Sequence, residues 1–478
     1  MSVFDSNAAY KDAQAERDLI NALLADSDGV RKEPYLPRNA KEDEADYLVR
    51  SKRSVLYNHF KRTINTATGK VLSKPVTFKD GVDALILQWI ENFDAEGTNF
   101  DQWCTSWFHG GLAQGIKFAL ADMPVVAIPE NGVRTLDTDK KQGIRPYAVL
   151  IDRENVIGWR TQRVNGIRTL VEFRIKEYEW VSDGKGGEKL QARVRVLTPG
   201  GWELYIKDGK GEDELIEFGY TGLTFIPIVP FYANKTGPFE GSPPFKNLAE
   251  LNLRHFQSSS EQANILAYAR VPILQIARDR SYDENGNPEG DAITFAHNQA
   301  VETSSQDKLG WVEHGGKAID AGRADLQDLQ DLMDAVSYKL APRDTSGDIT
   351  ATETNVLTAE AHVFLSAMAN NFKDAIELLL FYMCVMADLR DGDGVHSPEV
   401  VINKDFGTTQ TATDMPLMLD MFREGVLTKE TVVEGAIRRG LLPEDTEISK
   451  VIPEEEPVET VEVSAIEPVV DSNTPEAE

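Results

Sequence analysis

Four aspartates recur every third residue in "ADLQDLQDLMDAVSYKLA": Asp325, Asp328, Asp331 and Asp334. On a helix this spacing spreads carboxylates around the cylinder instead of pairing two across a reacting bond, so the chemistry it offers is electrostatic. It reads either as a solvated face or as a surface that a polyanion would avoid. The seven histidines (His59, His109, His255, His297, His314, His362 and His396) show no H-x-x-x-H spacing and no cysteine partner, so no zinc site is expected. Ser258, Ser259 and Ser260 lie mid-helix, without a G-x-S-x-G setting. "INTATGK" lacks the first glycine and the hydroxyl residue of a P-loop, and "GKGGEK" lies between two strands as a hairpin loop. "DGDG" and "DENGNPEGD" do not complete a calcium loop. With no convergent acid, base, nucleophile or metal set, the chain is expected not to be an enzyme and to need no cofactor.

Composition bounds the rest. The 478 residues are 41% hydrophobic and 27% charged, enough for two or more globular domains. Cys104 and Cys384 imply a reducing compartment without a disulfide framework. No apolar run is long enough to cross a membrane, and "AIELLLFYMCVMA" reads as a buried helix. The first twenty residues do not have the pattern of a signal peptide. The net charge is −28. Nine acids follow Pro453 with no Lys or Arg, and removing them still leaves −19. Such a body holds nucleic acid poorly, because phosphate affinity comes from Lys and Arg. The scattered Trp and Tyr form no base-stacking module. A DNA role would be one in which sticking is unwanted.

The elements that position these groups follow from hydrophobic period. Residues 1 to about 125 read mainly helical: Tyr47, Leu48, Val55, Leu56 and Phe60 fall near helical spacing, and Asp83–Phe93 and Asn99–Ala119 give two more helices. From Pro124 to about Pro230, "RPYAVLIDRENVIGWR", "RTLVEFRIKEYEWV", "LQARVRVLTPGGWELYI" and "ELIEFGYTGLTFIPIVPFY" alternate as a mainly antiparallel sheet, punctuated by "SDGKGGEK" and "KDGKGED". A helix of about 39 Å follows Pro244, with the polar middle Gln257–Gln262. Next come a compact β insert with an Asn285-Gly286 turn and a second helix, Ala324–Ala341. The second helix has a narrow seam of Leu326, Leu329, Met333, Val336 and Leu340. Pro342 ends it, "RDTSGDITA" is a loop, and a long helix runs from about Thr352 to Leu389. Two short helices meet at Gly425–Thr428, with Thr428 as N-cap, and the Pro/Glu-rich tail is expected to be disordered.

Two helices of limited apolar width flank one β insert. Packed antiparallel they form a stalk, and a stalk with narrow seams needs neighbours. Copies closing through a heterologous interface supply them. On this reading the first helix is polar in the middle because part of it never meets its own chain's core.

Several stretches carry a likeness. They are "YLPRNAKEDEADYLVRSKRSVLYNHFKRTINTATGKVLSKP", "RPYAVLIDRENVIGWR", "GSPPFKNLAELNLRHFQSSSEQANILAYARVPIL" and "TATETNVLTAEAHVFLSAMANNF", spanning most of positions 35–445 in order. By them the chain resembles tailed-bacteriophage portal proteins. The resemblance implies an α+β, portal-like fold. Its wing is 1–243, with β sheet at about 124–232. Its stem helices are 244–270 and 321–341, flanking a clip at 271–320. A tunnel loop follows at 342–351, then a long helix and wing return at 352–413 and a helical crown at 414–450. The tail at 451–478 is acidic and disordered. It implies a homo-oligomeric ring, usually of twelve copies, at the capsid portal vertex of the virion, assembled in the bacterial host's cytoplasm. The ring would be a conduit for packaging and ejecting double-stranded DNA without sequence specificity. Implied partners are the terminase large subunit, the major capsid and scaffolding proteins, and head-to-tail connector or adaptor proteins. No membrane is implied.

Within that likeness, Asp325, Asp328, Asp331 and Asp334 are channel-facing candidates. Lys339, Arg343 and Arg323 offer transient phosphate contacts, although Lys339 and Arg343 equally suit the negative end of a helix dipole. The loop Arg343, Asp344, Thr345, Ser346, Gly347 and Asp348 is either a valve around DNA or an ordinary connector. Phe295, Leu309 and Trp311 either fill the minor core of the insert or face a docking partner. The competing expectations are another virion structural or connector protein, and a small-molecule or polysaccharide hydrolase.

Overall fold

The computed structural model describes residues 2–79, 81–124, 143–184, 186–270, 273–277, 284–285, 308–312, 316–338, 340, 351–391, 394–404, 406, 415–438 and 442. Over these the chain is mixed α+β. Its contacts divide it into two units, Met1–Phe406 and Gly407–Glu478.

The first unit opens with α1 (Ala8–Asp12), α2 (Gln14–Leu24), α3 (Asp26–Val30), α4 (Glu44–Arg53) and α5 (His59–Val71). Asn7, Asp43 and Asn58 each cap a helix by accepting from a backbone N–H three residues on. The run expected to place Tyr47, Leu48, Val55, Leu56 and Phe60 on one face is broken at Ser54–Asn58. That break resets the helical phase. Leu56 and Phe60 are buried, whereas Leu48 is exposed and Val55 is 66% exposed.

β1 (Thr77–Phe78), α6 (Ala84–Trp89) and α7 (Phe100–Gln114) follow. The helix expected to reach Ala119 stops at Gln114, and residues 116–122 are instead strand β2 (Ile116–Asp122). Gly115 forces the change. Its φ is +83°, and a Cβ there would lie 2.2 Å from the Ser242 carbonyl carbon, so only glycine fits the corner.

The β region holds β3 (Tyr147–Ile151), β4 (Val156–Val164), β5 (Ile167–Ser182), β6 (Glu188–Thr198), β7 (Gly201–Lys207), β8 (Asp213–Tyr220) and β9 (Ile228–Tyr232). The antiparallel pairing is as the alternation indicates, with hairpin loops where "SDGKGGEK" and "KDGKGED" stand. Membership is less direct. Two stretches that read as continuous β segments each divide between two sheets: β3-β2-β9 and β4-β5-β6-β7-β8. Ile116, Phe118 and Leu120 face the larger sheet, packing with Phe173, Ile175 and Leu197. Ala119 and Ala121 belong to the main core on the other face.

After β10 (Lys235–Gly237) and β11 (Glu240–Gly241) come α8 (Lys246–Ala269), β12 (Ile273–Ala277), β13 (Lys308–Val312) and α9 (Lys317–Val336). The second helix thus begins seven residues before Ala324 and ends at Val336, short of Ala341. The 36-residue α10 (Ala351–Met386) buries Leu365, Phe372, Ile376, Leu379 and Met383. Phe372 is surrounded by Trp107, Phe108 and Phe231, with ring centroids 4.9–5.3 Å away, pinning α10 to α7 and β9. A short hairpin of β14 (Arg390–Asp391) and β15 (Gly394–Val395) follows, and β16 (Val400–Val401) pairs with β1. No described helix is long and apolar enough to cross a membrane.

The second unit contains α11 (Met415–Arg423) and α12 (Lys429–Arg438). Thr428 Oγ1 accepts from Thr431 N at 3.3 Å, the N-cap that the sequence indicates.

Candidate functional site: an acidic helix pair

α8 and α9 run antiparallel. His255 meets Gln330, Ser258 meets Asp325, and Gln262 meets the carbonyl of Ile319, so the partner number falls as α8 advances. Between the helices, β12 and β13 pair antiparallel, Ile273 opposite Val312 through Ala277 opposite Lys308. The unit is therefore helix, strand, strand, helix. The expected seam holds in part: Leu329 and Met333 are buried and Val336 packs against the core that contains Met333, whereas Leu326 is half-buried and the buried Leu340 lies beyond the end of α9. Gly322 lets the helices close. A Cβ there would meet Gln262 Oε1 at 2.1 Å.

The polar middle of α8 is only partly wet: Glu261 is exposed and Gln257, Ser258 and Ser259 are half-buried, but Ser260 and Gln262 are covered by their own chain, contrary to expectation. Ser260 is 3% exposed and His255 4%, and Asn252 and Gln262 are buried with them. Each has a partner from its own chain. Ser54 Oγ donates to Ser260 Oγ at 2.7 Å, Arg50 Nη1 lies 3.3 Å from the same oxygen, and Asn252 Oδ1 accepts from Phe60 N. Gln257 Nε2 donates to the Tyr35 carbonyl. α4 and α5 cover one side of α8 and α9 another. Apolar residues are scarce there because hydrogen bonds, not a greasy stripe, join these helices.

The clamp over Ser260 was not legible from spacing. Arg50 grips Glu42 through two 2.7 Å hydrogen bonds, and both side chains are almost fully buried. Arg50 holds the Glu42 carboxyl below its usual range, and Glu42 raises the Arg50 guanidinium in turn. Nearby, His59 Nε2 lies 3.3 Å from both Asp334 Oδ1 and Ser337 Oγ. Burial, then the neighbouring His59, push His255 below the ordinary histidine value, and Asp325 opposes them.

The structure divides the four aspartates. Asp325 accepts from Ser258 Oγ at 2.8 Å and lies 3.6 Å from Arg254, and Asp334 pairs with His59. Asp328 and Asp331 stand on the exposed face of α9 with Asp320, Ala321, Ala324, Leu332 and Ala335. Gln327 donates to Asp331 at 3.2 Å, whereas Asp328 has no ion-pair partner among the described residues. Arg323 is exposed. Leu309 and Trp311 occupy register positions opposite Ile276 and Leu274. Phe295, Lys339 and Arg343, Asp344, Thr345, Ser346, Gly347 and Asp348 lie outside the described residues. Among the described residues, no three His, Cys, Asp or Glu side chains form a group that could hold a metal ion.

A family model described as "Domain of unknown function (DUF4055)" matches residues 244–385, from just before α8 to the end of α10. No curated protein matches the chain. Solved particle structures do. The chain is similar to one in "Neck of empty GTA particle computed with C6 symmetry", at 12% identity, 80% coverage of this chain and 89% of that one, with a TM-score of 0.42. A chain in "Virion of native gene transfer agent (GTA) particle" shows 10% identity, with 89% and 99% coverage and a TM-score of 0.41. A chain in "Neck of native GTA particle computed with C12 symmetry" shows 11% identity, with 80% and 89% coverage and a TM-score of 0.39.

Proposed function

We propose that this chain is a portal protein, a ring subunit at a capsid vertex through which double-stranded DNA is packaged and ejected. The observation that carries the reading is the antiparallel pair α8–α9 with its β12–β13 insert and the carboxylates exposed along one face of α9. Small residues at Ala321, Ala324 and Ala335 on that face let another surface approach closely, while Asp320, Asp328 and Asp331 keep it negative. Repeated around a ring, they form acidic bands that slide past phosphate without holding it.

In this reading the work is structural. The β12–β13 insert docks the terminase large subunit during packaging and connector proteins afterwards, and the segment 342–350 before α10 touches passing DNA. The wing contacts the major capsid and scaffolding proteins. Negative-stain microscopy of the purified chain tests it: a ring with an axial hole is expected. A monomer at every concentration would overturn the proposal.

A further inference from the structure

The five-stranded sheet has two free edges of opposite charge. Along β8, Glu214 and Glu217 are exposed and have no ion-pair partner among the described residues. Leu215, Ile216, Phe218 and Tyr220 are exposed on the same strand, Tyr220 by 86%. At the tip of β4–β5, Arg163 and Arg168 sit directly opposite each other in the strand register. Both are exposed and neither has a carboxylate partner among the described residues. Facing like charges across two strands destabilises a hairpin, so something should compensate them. Val164 and Ile167, the latter 71% exposed, lie between them at the turn. Beside the tip, Arg168, Tyr232, Lys235 and Phe239 line a groove of about 720 Å³.

Each edge is also a hazard for a lone chain. An edge strand bearing exposed hydrophobic residues invites pairing. Asn7 N donates to the Ile157 carbonyl and so covers only the start of β4, leaving Arg160–Val164 open. The two edges lie four strand spacings apart, roughly 19 Å, so they cannot satisfy each other within one open sheet.

We propose that the acidic β8 edge of one copy docks on the basic β4–β5 tip of the next, with Glu214 and Glu217 facing Arg163 and Arg168, and Phe218 and Tyr220 covering Val164, Ile167 and the groove. Two different patches on opposite edges of one sheet make a heterologous contact, which propagates around a ring instead of stopping at a dimer. This inference rests on the ring reading above and names the surface that builds it.

The full chain tests it by mass photometry and negative-stain microscopy, with circular dichroism to confirm folding. R163E/R168E carries two negative edges and E214R/E217R two positive ones. Each alone should lose ring at least about tenfold, because like-charge juxtaposition is strongly unfavourable. Mixing the two variants should restore rings, as each pairs only with the other, and the quadruple variant should assemble alone. Native rings whose assembly survives both reversals, or is lost without rescue on mixing, would overturn this surface while leaving the portal reading standing. A native chain that forms no ring at any concentration would overturn both.

Discussion

Asp325 Oδ2 accepts a 2.8 Å hydrogen bond from Ser258 Oγ, tying the centre of α8 to α9. One member of a four-carboxylate ladder is thus engaged within the helix pair. With the contacts of Arg50 and Ser54 to Ser260, the same bond shows why a long helix with a serine-rich middle is stable here: two of the three hydroxyls meet polar partners, not an apolar core.

Ser258→Ala and Asp325→Ala should each destabilise the first unit, by about 1 kcal/mol for the hydrogen bond. The double variant should cost less than the sum, with coupling of at least about 0.5 kcal/mol. Urea unfolding of the four proteins measures this, and additive costs would show that the contact contributes nothing.

Arg50→Ala should cost on the order of 3 kcal/mol, because it strands the buried Glu42 carboxylate. Arg50→Met with Glu42→Leu should recover most of that loss. The pH dependence has a definite sign. The folded Glu42 value lies below the unfolded one, so its contribution is complete above about pH 4.3 and is lost as pH falls through the lowered folded value. Thermal unfolding between pH 6 and 3 should show this loss in the native chain and less of it in Glu42→Gln.

His255 titrates with the opposite charge but the same sign. Its folded value is depressed, so the neutral ring stabilises the fold fully above the ordinary histidine value of about 6.5. Stability falls as pH drops below that and levels off beneath the lowered folded value. His255→Gln should flatten the melting temperature between pH 7.5 and 5. An unchanged slope would show that His255 titrates as it does in the unfolded chain.

Asp328→Lys with Asp331→Lys should leave stability within about 0.5 kcal/mol, since both residues are exposed. On the proposed portal reading, the assembled variant should retain more duplex DNA than the native assembly, most clearly at low salt, and gel-shift titration reads the difference. Equal retention would count against the proposed role of these two residues in passing DNA.

The sequence alone determined those elements whose signals are local. The 3–4 spacing of Leu329, Met333 and Val336, the Gly-rich hairpin loops and the Thr428 cap are local signals, and each corresponds to what forms. Between the two helices, the strand pair β12–β13 is the part of the expected insert that the described residues include. Tertiary structure decided what those elements face. Nothing near Gly115 in the chain reveals that the Ser242 backbone occupies the space of its missing Cβ, so the helix end there was not legible. The split of "RPYAVLIDRENVIGWR" and of "ELIEFGYTGLTFIPIVPFY" between two sheets was hidden for the same reason, because alternation gives a strand's faces but not its neighbours. The division of Asp325 and Asp334 from Asp328 and Asp331, and the burial of Ser260 under Arg50 and Ser54, depend on hydrogen bonds between residues 67 to 275 positions apart. A hydrogen bond needs its partner within about 3 Å, and only the folded chain brings such distant residues that close.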